Sequence, residues 1–445
     1  MTVLDILNLL HETLERGDLS VANELLKGLH PSEIARILES LPAKQREKIW
    51  ELESVDEGEV LPYMNEGVRI ELMQDMDPHE VAAAAEDMDI DDAADLLQDL
   101  PDEVVEQVLQ MMDAPQRQRL TKVLFYPEDS AGGIMNIDTL TVRTEVSLDV
   151  VFRYLRRFSK LPGRTDMLIV VDRDSKYLGG LLFARLLTSD PELTVGEVMS
   201  TDITPIPART PTLEVARLFE ERDFVSAPVV DEEGFLVGRI TIDDVVDVIR
   251  AEAEHNLMGR AGLDEDDDMF APILTTTYHR ALWLGINLAT AFLAAWVIGL
   301  FEKTLEQIVA LAVLMPIVAS MGGIAGSQTL TVVIRGIALG KVTTTNVPWL
   351  LRKEVSVGLL NGLVWSVVVA CTATLWFGSV KLGLIIASAL IINLFFAALS
   401  GMLIPVLLNR LSIDPALAGG VILTTVTDVI GFTAFLGLAT LLLLN

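Results

Sequence analysis

Hydrophobic and polar positions change rhythm three times along the 445 residues. Up to about residue 125, apolar residues recur at i, i+3, i+4 spacing in short runs broken by proline, which predicts a series of short amphipathic helices. The series contains an internal echo. Leu29-His30-Pro31-Ser32-Glu33-Ile34-Ala35-Arg36-Ile37-Leu38-Glu39-Ser40-Leu41-Pro42 aligns with Met88-Asp89-Ile90-Asp91-Asp92-Ala93-Ala94-Asp95-Leu96-Leu97-Gln98-Asp99-Leu100-Pro101, each a capped helix closed by Leu-Pro. Such repetition predicts a small helical superhelix, a binding scaffold. Between 136 and 250, Val- and Ile-rich runs take over. Met167-Leu168-Ile169-Val170-Val171 and Ala227-Pro228-Val229-Val230 are each followed by a turn and a second strand, at 177–182 and 235–241, with helices on either side. From about residue 280 the periodicity dissolves into five long apolar runs, at 281–301, 307–334, 355–377, 382–409 and 415–444. Each is long enough to cross a hydrocarbon core, which takes about 20 helical residues. A buried soluble bundle would need five consecutive helices with almost no polar face.

Charge sharpens the division. The whole chain is 51% hydrophobic yet carries a formal net charge of −30. Beyond residue 270 there are only five acidic and eight basic side chains, which leaves 58 acidic and 25 basic residues before it, a net −33. A nucleic-acid partner is excluded, because it requires a basic footprint. A disulfide framework is excluded by the single cysteine, Cys371, inside an apolar run. The opening residues carry Asp5 and lead into polar helix, so no secretory signal is expected and the acidic half is expected in the cytoplasm. With the N-terminus inside and five spans, the C-terminus falls outside. The inner ends then hold Arg280, Arg335, Lys341, Arg352, Lys353 and Arg410 against Lys303 and Lys381 outside, in agreement with the positive-inside rule.

Asp428 stands near the middle of the last apolar run, in Thr424-Thr425-Val426-Thr427-Asp428. A carboxylate at that depth costs about 2.5–3.5 kcal/mol and points to an ion path, with the surrounding threonines supplying hydroxyls and loosening the helix by bonding to i−4 carbonyls; a protonated Asp hydrogen-bonded to a neighbouring helix is the alternative. One carboxylate is too few for a dehydrated divalent cation. Two routes remain: a two-fold dimer that brings two copies of Asp428 together, or an ion that keeps its waters, as Mg²⁺ does most stubbornly. No His or Cys lies near it, which argues against zinc or copper. The second run contains Pro316 and then Gly322, Gly323, Gly326 and Gln328, which predicts an interrupted helix lining a cavity; close helix packing through the small residues is the alternative.

In the acidic half, Asp91 and Asp95 sit one turn apart, with Asp92 beside them. A helix from Asp243 toward residue 262 carries Asp244, Asp247, Glu252 and Glu254, and an acidic run follows at 264–268. Such runs are solvated linkers or a field that concentrates cations. The paired β-α-β-β-α units at 136–250 resemble a pair of cystathionine-β-synthase (CBS) motifs. Motifs of that type hold adenosine ligands on a Gly-h-h-Thr-x-x-Asp stretch. The second copy matches with Gly238, Thr241 and Asp244, and the first lacks both Thr and Asp, so a nucleotide site is expected only on the second copy, with a purely structural CBS pair as the alternative.

Taken in order, the acidic helical region, Tyr126-Pro127-Glu128-Asp129-Ser130-Ala131-Gly132-Gly133-Ile134-Met135, the CBS pair, the acidic connecting helix and five spans ending in Thr-x-x-Asp resemble the MgtE family of magnesium channels over essentially the full chain. The resemblance implies a multidomain fold: an all-α superhelical N-terminal domain (1–130), an α/β CBS pair (131–200 and 201–242), a connecting or plug helix and linker (243–270), and an α-helical transmembrane domain of five helices (271–445). It implies no enzyme activity but a homodimer in the cell membrane, in contact with lipid. The second and fifth spans would line a pore on the two-fold axis, with Asp428 and the Thr424 carbonyl holding hydrated Mg²⁺ and Gly322, Gly323, Gly326 and Gln328 lining the path. Asp91, Asp95, Asp223, Asp244, Asp247 and Glu252 would bind regulatory Mg²⁺ that closes the pore, and Thr241 with Asp244 a nucleotide such as ATP. The family's Asn between the glycines of the second span is here Ile324. A proton-coupled or broader divalent-cation carrier and a non-transporting sensor remain as alternatives.

Overall fold

The computed structural model describes residues 3–443 except 53, 260, 264–268, 272, 344 and 412. The expected acidic run at 264–268 therefore lies outside the described residues. The chain forms two compact units, one comprising residues 1–254 and 266–272 and the other 255–265 and 273–445.

The first unit opens with ten short helices, α1 to α10 (Val3–Arg16, Leu19–Leu26, Pro31–Glu39, Ala43–Trp50, Glu57–Val60, Glu66–Asp75, Pro78–Asp87, Ile90–Gln98, Asp102–Met111 and Ala114–Leu124). The echo seen in sequence is the pair α3 and α8, each followed by Leu-Pro and then a new helix. Their starts differ. His30 caps α3 with a reciprocal bond to Glu33, whereas Asp89 opens α8 with its carboxylate making no capping bond. The apolar faces meet in one continuous core that includes Leu10, Leu26, Ile37, Leu38, Ile49 and Leu97.

Two small sheets follow. In the first, β1 (Thr141–Arg143) pairs parallel to β2 (Met167–Val171), which pairs antiparallel to β3 (Tyr177–Leu182). In the second, β4 (Ile206–Pro207), β5 (Ser226–Val230) and β6 (Leu236–Thr241) repeat that order, and both hairpins carry a bulge at the same place, after Val170 and after Val229. The helices between them are α11 (Leu148–Leu155), α12 (Phe183–Thr188), α13 (Val195–Val198) and α14 (Thr212–Arg222); α15 (Ile242–Gly259) leaves β6 directly. The central strands β2 and β5 are wholly buried, as continuous Val/Ile runs demand. This αβ repeat is the architecture expected from the sequence.

The second unit holds α16 (Ile273–Gly299), a short α17 (Glu302–Gln307), α18 (Ala310–Ala338), α19 (Val347–Phe377), α20 (Val380–Arg410) and α21 (Pro415–Leu443). Among the described residues, five of these helices are long and apolar enough to cross a membrane. One expectation needs correction: α18 is one unbroken helix despite Pro316 and the glycines. Gly322 and Gly326 serve close packing instead. A Cβ on Gly322 would lie 2.8 Å from the amide carbon of Asn393, and one on Gly326 would lie 2.9 Å from Leu423, so α20 and α21 approach where side chains would hold them off. A second acid sits in the helical bundle, near the start of α19 rather than at mid-helix. α19 begins two turns earlier than its apolar run, and this buries Glu354, which accepts from Thr329 of α18 (3.4 Å) and pairs with Lys353 (3.1 Å).

Candidate functional site

An open groove of about 790 Å³ runs along α18 and α21. Residues four apart on a helix share a face. Accordingly Gly323 and Ser327, with Ile324 and Gln328 beside them, form one wall, and Thr424 and Asp428 of α21 form the other. Of the four residues expected to line a path, Gly323 and Gln328 reach this groove, while Gly322 and Gly326 are buried in the helix contacts just described. Ile324 is 57% exposed on the groove wall.

The threonines do bond back: Thr424 Oγ1 donates to Gly420 O (2.9 Å) and Thr425 Oγ1 to Val421 O (2.7 Å). They do not break α21, which continues as one helix to Leu443. The Thr424 carbonyl accepts from Thr427 Oγ1 (3.0 Å).

The acidic site lies in the first unit, where α8 meets the start of α15. The carboxylates of Asp89, Asp91 and Asp92 lie within 4.8 Å of one another. Burial first, then repulsion from Asp89, pushes Asp91 up to about 6. Burial, with repulsion from Asp91, Asp89, Asp95 and Asp243, pushes Asp92 up to about 7. Across from them, burial and then repulsion from Asp91 and Asp243 push Asp244 up to about 8, and Asp247 is raised by burial against the pull of Arg250. Carboxylates held this close favour whatever neutralises them, a proton or a cation.

Three groups fix the cluster. Asn136 donates to Asp91 (3.0 Å), Arg164 pairs with Asp243, and Arg69, only 6% exposed, pairs with Asp95 (2.7 Å) and Asp99 (2.6 Å). Thus the structure brings together four of the six expected regulatory acids, Asp91, Asp95, Asp244 and Asp247. Asp223 instead ends α14 in a left-handed conformation, and Glu252 lies farther along α15.

The Gly-h-h-Thr-x-x-Asp stretch is engaged in the fold. Thr241 donates to Asp244 through both its N–H (3.0 Å) and its hydroxyl (3.1 Å), closing the start of α15. A Cβ at Gly238 would lie 2.7 Å from Met135 Sδ, so the glycine admits the 135–136 segment. In the second unit, the last turn of α15 is held to the start of α21. His255 Nε2 lies 2.9 Å from Asp414, whose carboxylate also accepts from Ala416 N–H (2.8 Å).

A magnesium transporter MgtE of Thermus thermophilus is 31% identical over 440 residues, 98% of either chain. This chain belongs to the MgtE family. A Bacillus subtilis magnesium transporter MgtE is 30% identical over 98% of this chain and 96% of its own. The family model for the MgtE divalent cation transporter matches residues 315–438, that for the MgtE intracellular N domain residues 29–129, and that for the CBS domain residues 195–251. Among solved structures, the cytosolic domain of the Mg²⁺ channel MgtE in complex with ATP is 31% identical, covers 54% of this chain and 98% of its own, and has a TM-score of 0.49.

Sequence reasoning in this MgtE family member passed over Asn393. The side chain is fully buried in α20, donates to Val318 O (2.8 Å), and sits against Gly322 and Gly431 at the junction of α18, α20 and α21. A lone amide amid Ile391, Ile392 and Leu394 was the available signal. Arg69 and Asn136 gave none, since their partners are distant in sequence.

Proposed function

We propose that this chain carries Mg²⁺ across a membrane as a homodimer, with its acidic half in the cytoplasm. The observation that carries the reading is the convergence of Asp428 and Thr424 with the polar face of α18 along one groove. The names of the two relatives supply the ion. In a two-fold dimer, paired Asp428 carboxylates attract the cation while its retained waters bond to hydroxyls, carbonyls and Gln328. That suits Mg²⁺, which dehydrates reluctantly.

The proposal includes closure by the transported ion. At low Mg²⁺ the carboxylates of α8 and α15 repel. At high Mg²⁺ the cation bridges them and favours the closed state, a population shift by a ligand with differential affinity. Support comes from α15 itself, whose first turns carry Asp243, Asp244 and Asp247 and whose last turn is tied to the helix that carries Asp428. Adenine nucleotide at Thr241 and Asp244 belongs to the same proposal, with loss of ATP binding in Thr241→Ala as its test.

Mg²⁺ flux into reconstituted vesicles tests the whole. Asp428→Ala is expected to abolish flux with folding unchanged by circular dichroism, and normal flux in that variant sinks the pore assignment. Asp91→Asn, Asp95→Asn and Asp247→Asn together are expected to give flux that persists at millimolar Mg²⁺ on the cytoplasmic side. Closure at the wild-type concentration sinks the gating part. Flux driven by a proton gradient would instead support a coupled carrier.

A further inference from the structure

A second cavity, of about 750 Å³, lies in the first unit between the end of α10 and the start of β6. Its volume is that of an ordinary small-molecule site. One wall is α10, where Arg117, Thr121 and Phe125 follow one another at four-residue intervals and Lys122 stands beside them. The opposite wall is apolar, made by Met135, Leu236 and Val237, with Tyr126 at the edge.

Two features set this wall apart. The half of the chain that contains it carries a net −33, and cations there commonly have acidic partners: Arg69 with Asp95, Arg119 with Asp138, Arg164 with Asp243 and Arg209 with Glu232. Among the described residues, neither Arg117 nor Lys122 has a carboxylate within ion-pairing distance, and both line the cavity. Asp231, whose charge reaches Tyr126 at the edge, is taken up by the backbone N–H groups of Glu233 (3.0 Å) and Phe235 (2.9 Å). Phe125, meanwhile, is 73% exposed and meets Tyr126 edge-on at 5.5 Å. An exposed Phe125 against a half-buried Tyr126, beside two cations without a carboxylate partner and an apolar floor, offers an anion site and a ring-stacking site within one cavity.

We propose that this cavity binds a phosphorylated small molecule with a planar ring. Arg117 and Lys122 take the phosphate through charge-assisted hydrogen bonds, and Phe125 and Tyr126 take the ring against Met135 and Val237. The site is separate from Thr241 and Asp244 and from the acidic cluster, and it does not depend on the transport reading.

Equilibrium dialysis of the full chain in detergent with radiolabelled AMP, in EDTA, tests it. Wild type is expected to bind in the submillimolar range, with inorganic phosphate a much weaker competitor. Arg117→Gln with Lys122→Gln should weaken binding about tenfold or more, the loss of two charge-assisted bonds. Phe125→Leu should weaken it severalfold, and binding at this cavity is told from any at Thr241 by the protection of Lys122 from acetylation. Acetylation of Lys122, read by mass spectrometry on the unaltered chain, should slow when AMP is present, which keeps the test independent of how the variants fold. The proposal is overturned if AMP fails to bind at millimolar concentration or to protect Lys122. It is overturned equally if phosphate alone competes as well as AMP, if only Thr241→Ala loses binding, or if Phe125→Leu changes the oligomeric state, which would make the patch a protein contact.

Discussion

Asp92→Asn isolates the cost of the acidic cluster. The asparagine keeps the shape of the side chain and removes its charge. Burial and four neighbouring carboxylates raise Asp92 from 3.8 to about 7. Three units correspond to about 4 kcal/mol at 1.36 kcal/mol per unit, and partial solvent screening leaves about 1–4 kcal/mol. The sign follows from proton linkage. A carboxylate whose native pKa is raised holds its proton in the folded state at pH values where the unfolded chain has lost it. Its effect is therefore absent below about pH 4, and stability falls as pH rises from there through 7. Without divalent cations at pH 8, Asp92→Asn should then stabilise the α8–α15 contact, and at pH 5 the gain should shrink toward zero. Mg²⁺ reverses the order, because under the gating proposal it neutralises the cluster and the variant has lost a ligand. Hydrogen exchange of the full chain reads this locally. In EDTA at pH 8, amides of α8 and the first turns of α15 should gain about fivefold to several hundredfold protection. In saturating Mg²⁺ the wild type should be the better protected. Equal protection in EDTA at pH 8, or a larger gain at pH 5 than at pH 8, refutes the reasoning.

Gly431→Ala would place a Cβ 2.7 Å from Asn393 Nδ2, and this overpacking should cost about 1–3 kcal/mol in thermal unfolding. Adding Asn393→Ala should recover part of that loss, and strictly additive losses would mean that the two residues do not meet. Arg69→Ala leaves Asp95 and Asp99 without their shared cation and should cost about 3–5 kcal/mol at pH 8. The loss should be smaller below pH 5, because Asp99, pushed up to about 7 by burial, then carries a proton in the folded state; a pH-independent loss would contradict the ion-pair account. Ile324→Asn, at an exposed position of the groove wall, should alter stability by less than about 0.5 kcal/mol yet change the ratio of Mg²⁺ to Co²⁺ flux. An unchanged ratio would remove position 324 from the selectivity argument.

The fold was legible wherever local pattern and tertiary demand agree. The β2–β3 and β5–β6 hairpins could be read because each joins a fully apolar run to a short polar turn, and their pairing needs no distant partner. The five long helices were legible from length alone, but their ends were not. α19 extends N-terminally past its apolar run through Arg352, Lys353 and Glu354, since charged residues are good helix formers and hydropathy cannot register them. For the same reason Glu354 fell just outside the run read as 355–377. The glycines of α18 were read as a break because sequence shows the lost side chains without the neighbours that occupy their space. Asn393, the residue that Gly322 and Gly431 accommodate, is 71 and 38 positions away from them.

The acidic cluster was half legible, and the missing half bears on its meaning. Spacing alone gave Asp91 and Asp95 on one helix, where charges repel by only a few tenths of a kcal/mol. Tertiary structure adds Asp89, which makes no capping bond, and sets Asp243 and Asp244 of α15 against the same turn. A surplus of negative charge by itself would not produce this, because dispersing carboxylates over a solvated surface costs little. Nor is positive charge lacking, since Arg69 and Arg164 stand at the cluster's margins, but each is spent on one edge of it and none enters between Asp91, Asp92 and Asp244. A cost of burial first and of repulsion second is thus concentrated at the point where α15 starts, and it falls when a proton or a cation arrives. Near neutral pH the proton already holds much of Asp244 and part of Asp92, so under the gating proposal a divalent cation must compete with it for the same carboxylates. That is the physical content of the gating proposal: the net charge of the acidic half matters less for its size than for the few carboxylates placed where an ion can change their energy.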